Sequence, residues 1–324
     1  MNNIESRIYW IDYCKVFAIF CVILGHMSIN SYALNYIFSF HMPLFFFISG
    51  YLYHYKGDFL PFFEKNVSTI LLPYYYLNIL VLAISFPLLR WTASFSIEDL
   101  RRVVNYIILG NSRHLGGGTW FLLAMFFTRL VCYFILMMNR KRQIVCLIIS
   151  IIVSYTFPIR EMPLKIDVVF MAIPFYMIGF YCKEYNVIDR IKRKIVIAFL
   201  CLVLSAIMVY FNGFAEMNLR NFGNYPILYY PLCLISLGTY VLAFSCLKTR
   251  NKGIEYLSKG TIVTMAFQGF TNLLIFSIIR FLNIQLPINY NICCIVFWAP
   301  LSLMLTLPFI FILKRYFPRS TGNR

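Results

Sequence analysis

Residues 7–55 read RIYWIDYCKVFAIFCVILGHMSINSYALNYIFSFHMPLFFFISGYLYHY. This stretch is a hairpin of two apolar runs around a short polar break, and each run is long enough to cross a bilayer as a helix, which takes about 20 residues. The first run nevertheless carries Asp12, Lys15 and His26, and a charge in hydrocarbon costs at least about 2.5 kcal/mol. On a helix, Lys15 and His26 are separated by about 16 Å along the axis and only about 20° around it. Asp12 lies one turn below Lys15, about 40° from His26. One stripe therefore carries an acid and a base near one membrane face and an imidazole near the other, and it must face a cavity rather than lipid.

Working outward, composition fixes the class. Of 324 residues, 61% are hydrophobic and only 13% charged, with a mean hydropathy of +0.74. That balance excludes a soluble globular domain and predicts an all-α, polytopic integral membrane protein. Aromatics reach 19%, as lipid-facing surfaces and interfacial belts require. The net charge of +17 reads as cytoplasmic loops meeting anionic lipid headgroups, with some cations left for an anionic ligand, and not as nucleic-acid binding. The ten cysteines lie mostly inside apolar runs without C-x-x-C spacing. They read as packing residues, and no metal is expected. Asp12 and Lys15 inside the first apolar run also argue against a cleavable signal.

Hydropathy predicts about ten spans, near residues 8–29, 36–55, 67–89, 119–138, 143–157, 166–182, 195–211, 226–246, 261–280 and 291–313. No internal repeat and no long polar linker divides them, so residues 1–324 read as a single domain. With the N-terminus inside, runs such as Arg140–Lys141–Arg142 and Arg190 to Lys194 fall on the cytoplasmic side. The positive-inside bias then places both termini in the cytoplasm, Lys15 toward the inner face and His26 toward the outer. The sequence carries no signal of oligomeric state.

RIYWIDYCKVFAIFCVILGH resembles the opening helix of the membrane-bound acyltransferase-3 family, and FSFHMPLFFFISGYLY resembles its second helix in the fucose 4-O-acetyltransferase-like branch. GTWFLLAMF (118–126), DVVFMAIPFYMIGFY (167–181) and IEYLSKGTIVTMAFQ (254–268) are similar to later family segments. Arg7, Asp12, Lys15 and His26 fall where that pattern has its charged and catalytic positions. The resemblance implies transfer of an acyl group, usually acetyl from acetyl-CoA, to a hydroxyl of a cell-surface or lipid-linked glycan, in the bacterial cytoplasmic membrane. The chain departs from the pattern in two places. EKNVSTILLPYYY has only Lys65 where members often carry an Arg-x-x-Arg pair, and Gln268 stands where a histidine is common. Gln268 hydrogen-bonds but is no base near pH 7.

The residues suit that chemistry. A hydroxyl must lose its proton as it attacks a thioester, and the imidazole of His26 is the side chain whose ordinary pKa lies nearest neutrality. A covalent acyl-His26 intermediate is the other route. Lys15 would meet the polar end of CoA while His26 meets the thioester. The short turn after His26 brings His41 toward the same outer half, as a second group touching the acceptor or orienting His26. Arg129, an intramembrane cation, is a further donor contact, and Trp120 and Gln268 are candidate acceptor contacts. Gly116–Gly117–Gly118 would let backbone approach a ligand. Each has a plainer alternative. Asp12 and Lys15 at i, i+3 are able simply to pair, Arg129 to neutralise Asp12, Trp120 to sit at the interface, and His41 to pack near Pro43. The rival function is a transporter or flippase for a glycolipid or small acid with an Asp12–Lys15–His26 proton relay, against which stands the lack of repeat halves.

Overall fold

In the apolar runs no buried backbone group finds water, so the chain satisfies its amides internally as helix. The structure, a computed structural model, describes residues 7–27, 29–54, 57–93, 95–110, 118–159, 162–283 and 290–321. The helices are α1 (Tyr9–Gly25), α2 (Ser31–Tyr51), α3 (Phe59–Asn66), α4 (Leu72–Ala93), α5 (Ile97–Leu109), α6 (Trp120–Met137) and α7 (Arg140–Thr156). They continue with α8 (Ile166–Glu184), α9 (Val187–Arg190), α10 (Lys194–Asn212), α11 (Tyr229–Phe244), α12 (Lys252–Ser258), α13 (Thr261–Phe281), α14 (Tyr290–Cys293) and α15 (Ala299–Tyr316). Among the described residues there is no β-strand, only one isolated bridge between Glu216 and Asn221.

Among the same residues eight helical stretches are long and apolar enough to cross a membrane. The first and fifth of the expected spans are α1 and α7, each 17 residues and thus about 25 Å long, short of the roughly 30 Å hydrocarbon core. Two stretches are extended through π-helical turns. Val67–Leu71 joins α3 to α4 ahead of Pro73, and Cys294–Trp298 joins α14 to α15 ahead of Pro300. A proline lacks the N–H that would close the preceding α-turn, and a wider turn absorbs the break. Between the third and fourth expected spans, residues 97–109 form the amphipathic helix α5. Its Ser96–Asp99 capping box ties the first turn and Gly110, at φ 76°, ends it.

At the centre α2 crosses α8. A Cβ on Gly50 would overlap the Tyr176 carbonyl, and one on Gly179 would overlap the Phe47 carbonyl. The two backbones therefore touch, as small residues permit in membrane helix pairs. The main core gathers Phe40, Phe46, Phe175 and Tyr229 around this crossing. Pro43 lies within α2 without ending it. A smaller polar seam joins α13 to α15 through Thr264–Thr306 and Thr271–Ser302 hydroxyl pairs at 3.2 and 2.7 Å. The outer helices turn apolar faces outward, Ile144, Ile148 and Ile152 on α7 and Phe199, Leu200 and Val203 on α10. On a soluble protein such faces would be a liability; here they match lipid.

Candidate active site

Helix α1 places its two polar ends apart. Asp12, in the first turn, is buried and accepts two hydrogen bonds from Arg7, Nε at 2.7 Å and Nη2 at 2.8 Å, and one from Ser258 Oγ at 2.6 Å. Arg7 also lies 3.6 Å from Glu255, which pairs with Arg250 and Lys259 at 2.8 Å each. Lys259, Arg250 and then Arg7 hold the Glu255 carboxyl down at about 2. The result is a clasp between the start of α1 and α12. Lys15, half-buried one turn further on, feels the charges of Asp12 and Arg7. The ion pair of Asp12 is made with Arg7, so the Asp12–Lys15 pairing considered from spacing is not what neutralises it.

His26 forms the opposite end of α1, as its C-cap. Its Nδ1–H donates to the Val22 carbonyl at 2.7 Å. His41, on α2, makes the same bond to the Ile37 carbonyl, also at 2.7 Å. A carbonyl only accepts, so Nδ1 of each ring carries a proton, and in the neutral imidazole Nε2 keeps a lone pair. Both imidazoles line one cavity of about 210 Å³, together with Val22, Phe38, Trp120 and Gly118. The Phe38 ring stands edge-on to His41, centroids 5.0 Å apart. The turn that brings the two histidines together is held by Asn30, whose side chain accepts from the Tyr32 amide and caps α2.

The cavity volume lies below the roughly 300–1,000 Å³ of a drug-sized site, which suits one sugar ring or the acyl tip of a longer ligand. Two bases with free Nε2 atoms at such a cavity are equipped to take a proton from a hydroxyl.

The remaining candidates divide. Trp120 is buried in the cavity wall. Gln268 is buried behind that wall, its Nε2 about 3.6 Å from where a Gly118 Cβ would stand. Gly116 and Gly117 lie outside the described residues. Arg129 is in neither group. It sits on α6 beside the Tyr176 hydroxyl and over the Phe62 ring, 5.9 Å from its centroid, with Nε buried and unbonded. It therefore neutralises no part of Asp12. Among the described residues no group of three or more His, Cys, Asp or Glu could hold a metal.

Sequence reasoning missed Glu216, Met217 and Asn218, which close the cavity from the loop between α10 and α11. Nothing in a single carboxylate 190 residues downstream announces such a meeting. A partial signal was available: a polar, glycine-bearing segment, NGFAEMNLRNFGN (212–224), lies on the side expected to hold His26.

A family model described as an acyltransferase domain, that of acyltransferase-3, matches residues 8–315. No curated protein and no solved structure matches the chain.

Proposed function

The chain belongs to the acyltransferase-3 family of membrane acyltransferases, and on that premise we propose that it moves an acetyl group from acetyl-CoA to a hydroxyl of a cell-surface or lipid-linked glycan. The observation that carries this reading is the meeting of His26 and His41, each with Nδ1 engaged and Nε2 free, in one cavity beside Trp120. His26 Nε2 takes the acceptor proton as the hydroxyl oxygen attacks the acetyl carbonyl carbon. The C–S bond then breaks, and the CoA thiolate leaves and recovers the proton. His41 stands by as the group that orients acceptor or base. The run FSFHMPLFFFISGYLY supports the fucose 4-O-acetyltransferase-like branch.

Lys15 and Arg129 are the donor contacts in this scheme. Lys15 lies on α1 about 16 Å from His26, a span suited to the pantetheine arm between the phosphates and the thioester. In a bacterial cytoplasmic membrane, as one domain of about ten spans with both termini inside, this keeps CoA in the cytoplasm while the acetyl group reaches the outer half. The test follows thiol release from acetyl-CoA by the purified full chain with an envelope-glycan extract as acceptor. Release with acetate appearing on glycan is expected, and a transporter would give none. Lys15→Ala is expected to raise the KM for acetyl-CoA by about tenfold or more, the worth of one charge-assisted contact, while Lys15→Arg retains most of the affinity.

Topology gives a second check. Reporter tags at residues 1 and 324 are expected to report the cytoplasm and a tag within 90–118 the outside, as the positive-inside bias requires. Tags showing both ends outside would put Lys15 in the wrong compartment and sink the cytoplasmic-donor scheme.

A further inference from the structure

The part of the cavity wall that the α10–α11 loop supplies is built with unusual firmness for a connecting loop. Glu216 and Asn221 exchange backbone hydrogen bonds at 2.8 and 2.9 Å, closing residues 216–221 into a tight hairpin. At its base Asn212 donates to the Phe222 carbonyl and accepts from the Tyr225 amide. On its far side Arg220, itself buried, donates to the carbonyls of Ser154, Phe157 and Ile159 at 2.7–2.9 Å. Lys165 Nζ reaches the Asn218 carbonyl at 3.5 Å. The end of α7, the N-cap of α8 and the end of α10 are thus all tied to this one loop, and what it presents is held in place.

It presents hydrogen-bond acceptors. Glu216, Met217 and Asn218 line the cavity. Asn218 Oδ1 is buried with no protein hydrogen-bond partner, an acceptor left for a donor from a ligand at this wall. The Glu216 carboxyl is pushed up by burial, against the opposing pull of Lys165 and the Asn218 side chain. In the same cavity the neutral imidazoles of His26 and His41 add two Nε2 lone pairs. The wall therefore asks its ligand for several donors. A thioester has none to give at its reacting end; a sugar carries a hydroxyl on nearly every carbon. Met217 and Trp120 supply apolar surface of the kind a ring's C–H face covers.

We propose that Glu216 and Asn218 form the acceptor-recognition wall of this enzyme, binding hydroxyls of the acceptor sugar that are not acylated and so deciding which hydroxyl is turned toward His26. This rests on the acyltransferase reading above and specifies its acceptor side. The carboxylate takes the stronger share, since hydrogen bonds to a charged acceptor are about twice as strong as neutral ones.

The experiment uses the full-length protein in membranes, labelled acetyl-CoA, and a titrated glycan and glycolipid extract of the source cell's own envelope as acceptor. Glu216→Gln is expected to raise the apparent KM for that extract by about tenfold or more, with kcat within about threefold and the KM for acetyl-CoA unchanged. Glu216→Asp, which keeps the charge, is expected to recover part of the loss. Asn218→Ala is expected to shift the same parameter by a smaller factor. An unchanged acceptor KM in Glu216→Gln overturns the proposal. So does a parallel fall in kcat and donor affinity, which would mark Glu216 as a fold-holding residue of the loop. If the unsubstituted protein transfers no label in a His26-dependent way, the acyltransferase reading itself fails, and the acceptor wall with it.

Discussion

His26→Gln is expected to lose transfer by at least about 10²-fold, the lower bound for a positioned general base, while binding acetyl-CoA as the unsubstituted protein does. Glutamine keeps the size and hydrogen-bonding capacity of the imidazole but offers no lone pair of comparable basicity. The Nδ1–H bond to Val22 makes the substitution informative, because a glutamine amide is able to keep a donor on that carbonyl while the base at the cavity is gone. His26→Ala should fail equally and also leave the Val22 carbonyl short of a partner. The control is His54→Ala. That side chain is exposed and bonds the Leu52 carbonyl two residues away, so kcat and KM should stay close to those of the unsubstituted protein. If His26→Gln kept most of its activity, His26 would be an orienting group and His41, with the same free Nε2, the leading base.

A second large effect is expected far from any chemistry. Gly50→Ala places a methyl where the Tyr176 carbonyl already stands, and Gly179→Ala places one on the Phe47 carbonyl. Neither neighbour is a flexible side-chain tip able to swing away; both are helix backbone. The crossing of α2 and α8 has to widen, and overpacking of this kind costs typically about 1–3 kcal/mol and occasionally more. Thermal unfolding of the purified protein in detergent should show a clear drop in Tm for either variant. Ser49→Ala, one position away, should melt near the unsubstituted protein. Because α2 also carries His41, the glycine variants should lose activity in the fraction that still folds.

Much of this arrangement is legible in residues 7–55, and the reasons are local. Two apolar runs joined by a short turn must lie side by side, which brings His26, at the end of α1, and His41, midway along α2, within reach of one cavity. The 11-residue spacing of Lys15 and His26 fixes their separation along α1 by helix geometry alone. What escapes is whatever depends on partners distant in sequence. That Arg7, rather than Lys15, neutralises Asp12 turns on Ser258 and Glu255 arriving from α12 to hold both groups. Glu216 and Asn218 come from a loop whose path is set by the buried Arg220 and by Asn212, and periodicity carries no trace of that. Helix length shows the same limit. Hydropathy smooths over the π-turns before Pro73 and Pro300 and extends the first span over residues 8–29, where α1 ends at Gly25 and falls one turn of helix or so short of the hydrocarbon width.

The clasp at the start of α1 bears on how the protein is made. Synthesis delivers Arg7 and Asp12 together, five residues apart, but Ser258 and Glu255 only after nearly the whole bundle has left the ribosome. A lone carboxylate in the first span would resist partition into the bilayer, by about 2.5–3.5 kcal/mol at the bilayer centre and less toward the face. Arg7 offsets that charge from the outset through a bidentate pair, so Asp12 reaches the membrane already compensated and Lys15 is left as the net charge of α1. The late arrival of α12 then converts a provisional pairing into a closed ring, joining the first segment inserted to one of the last.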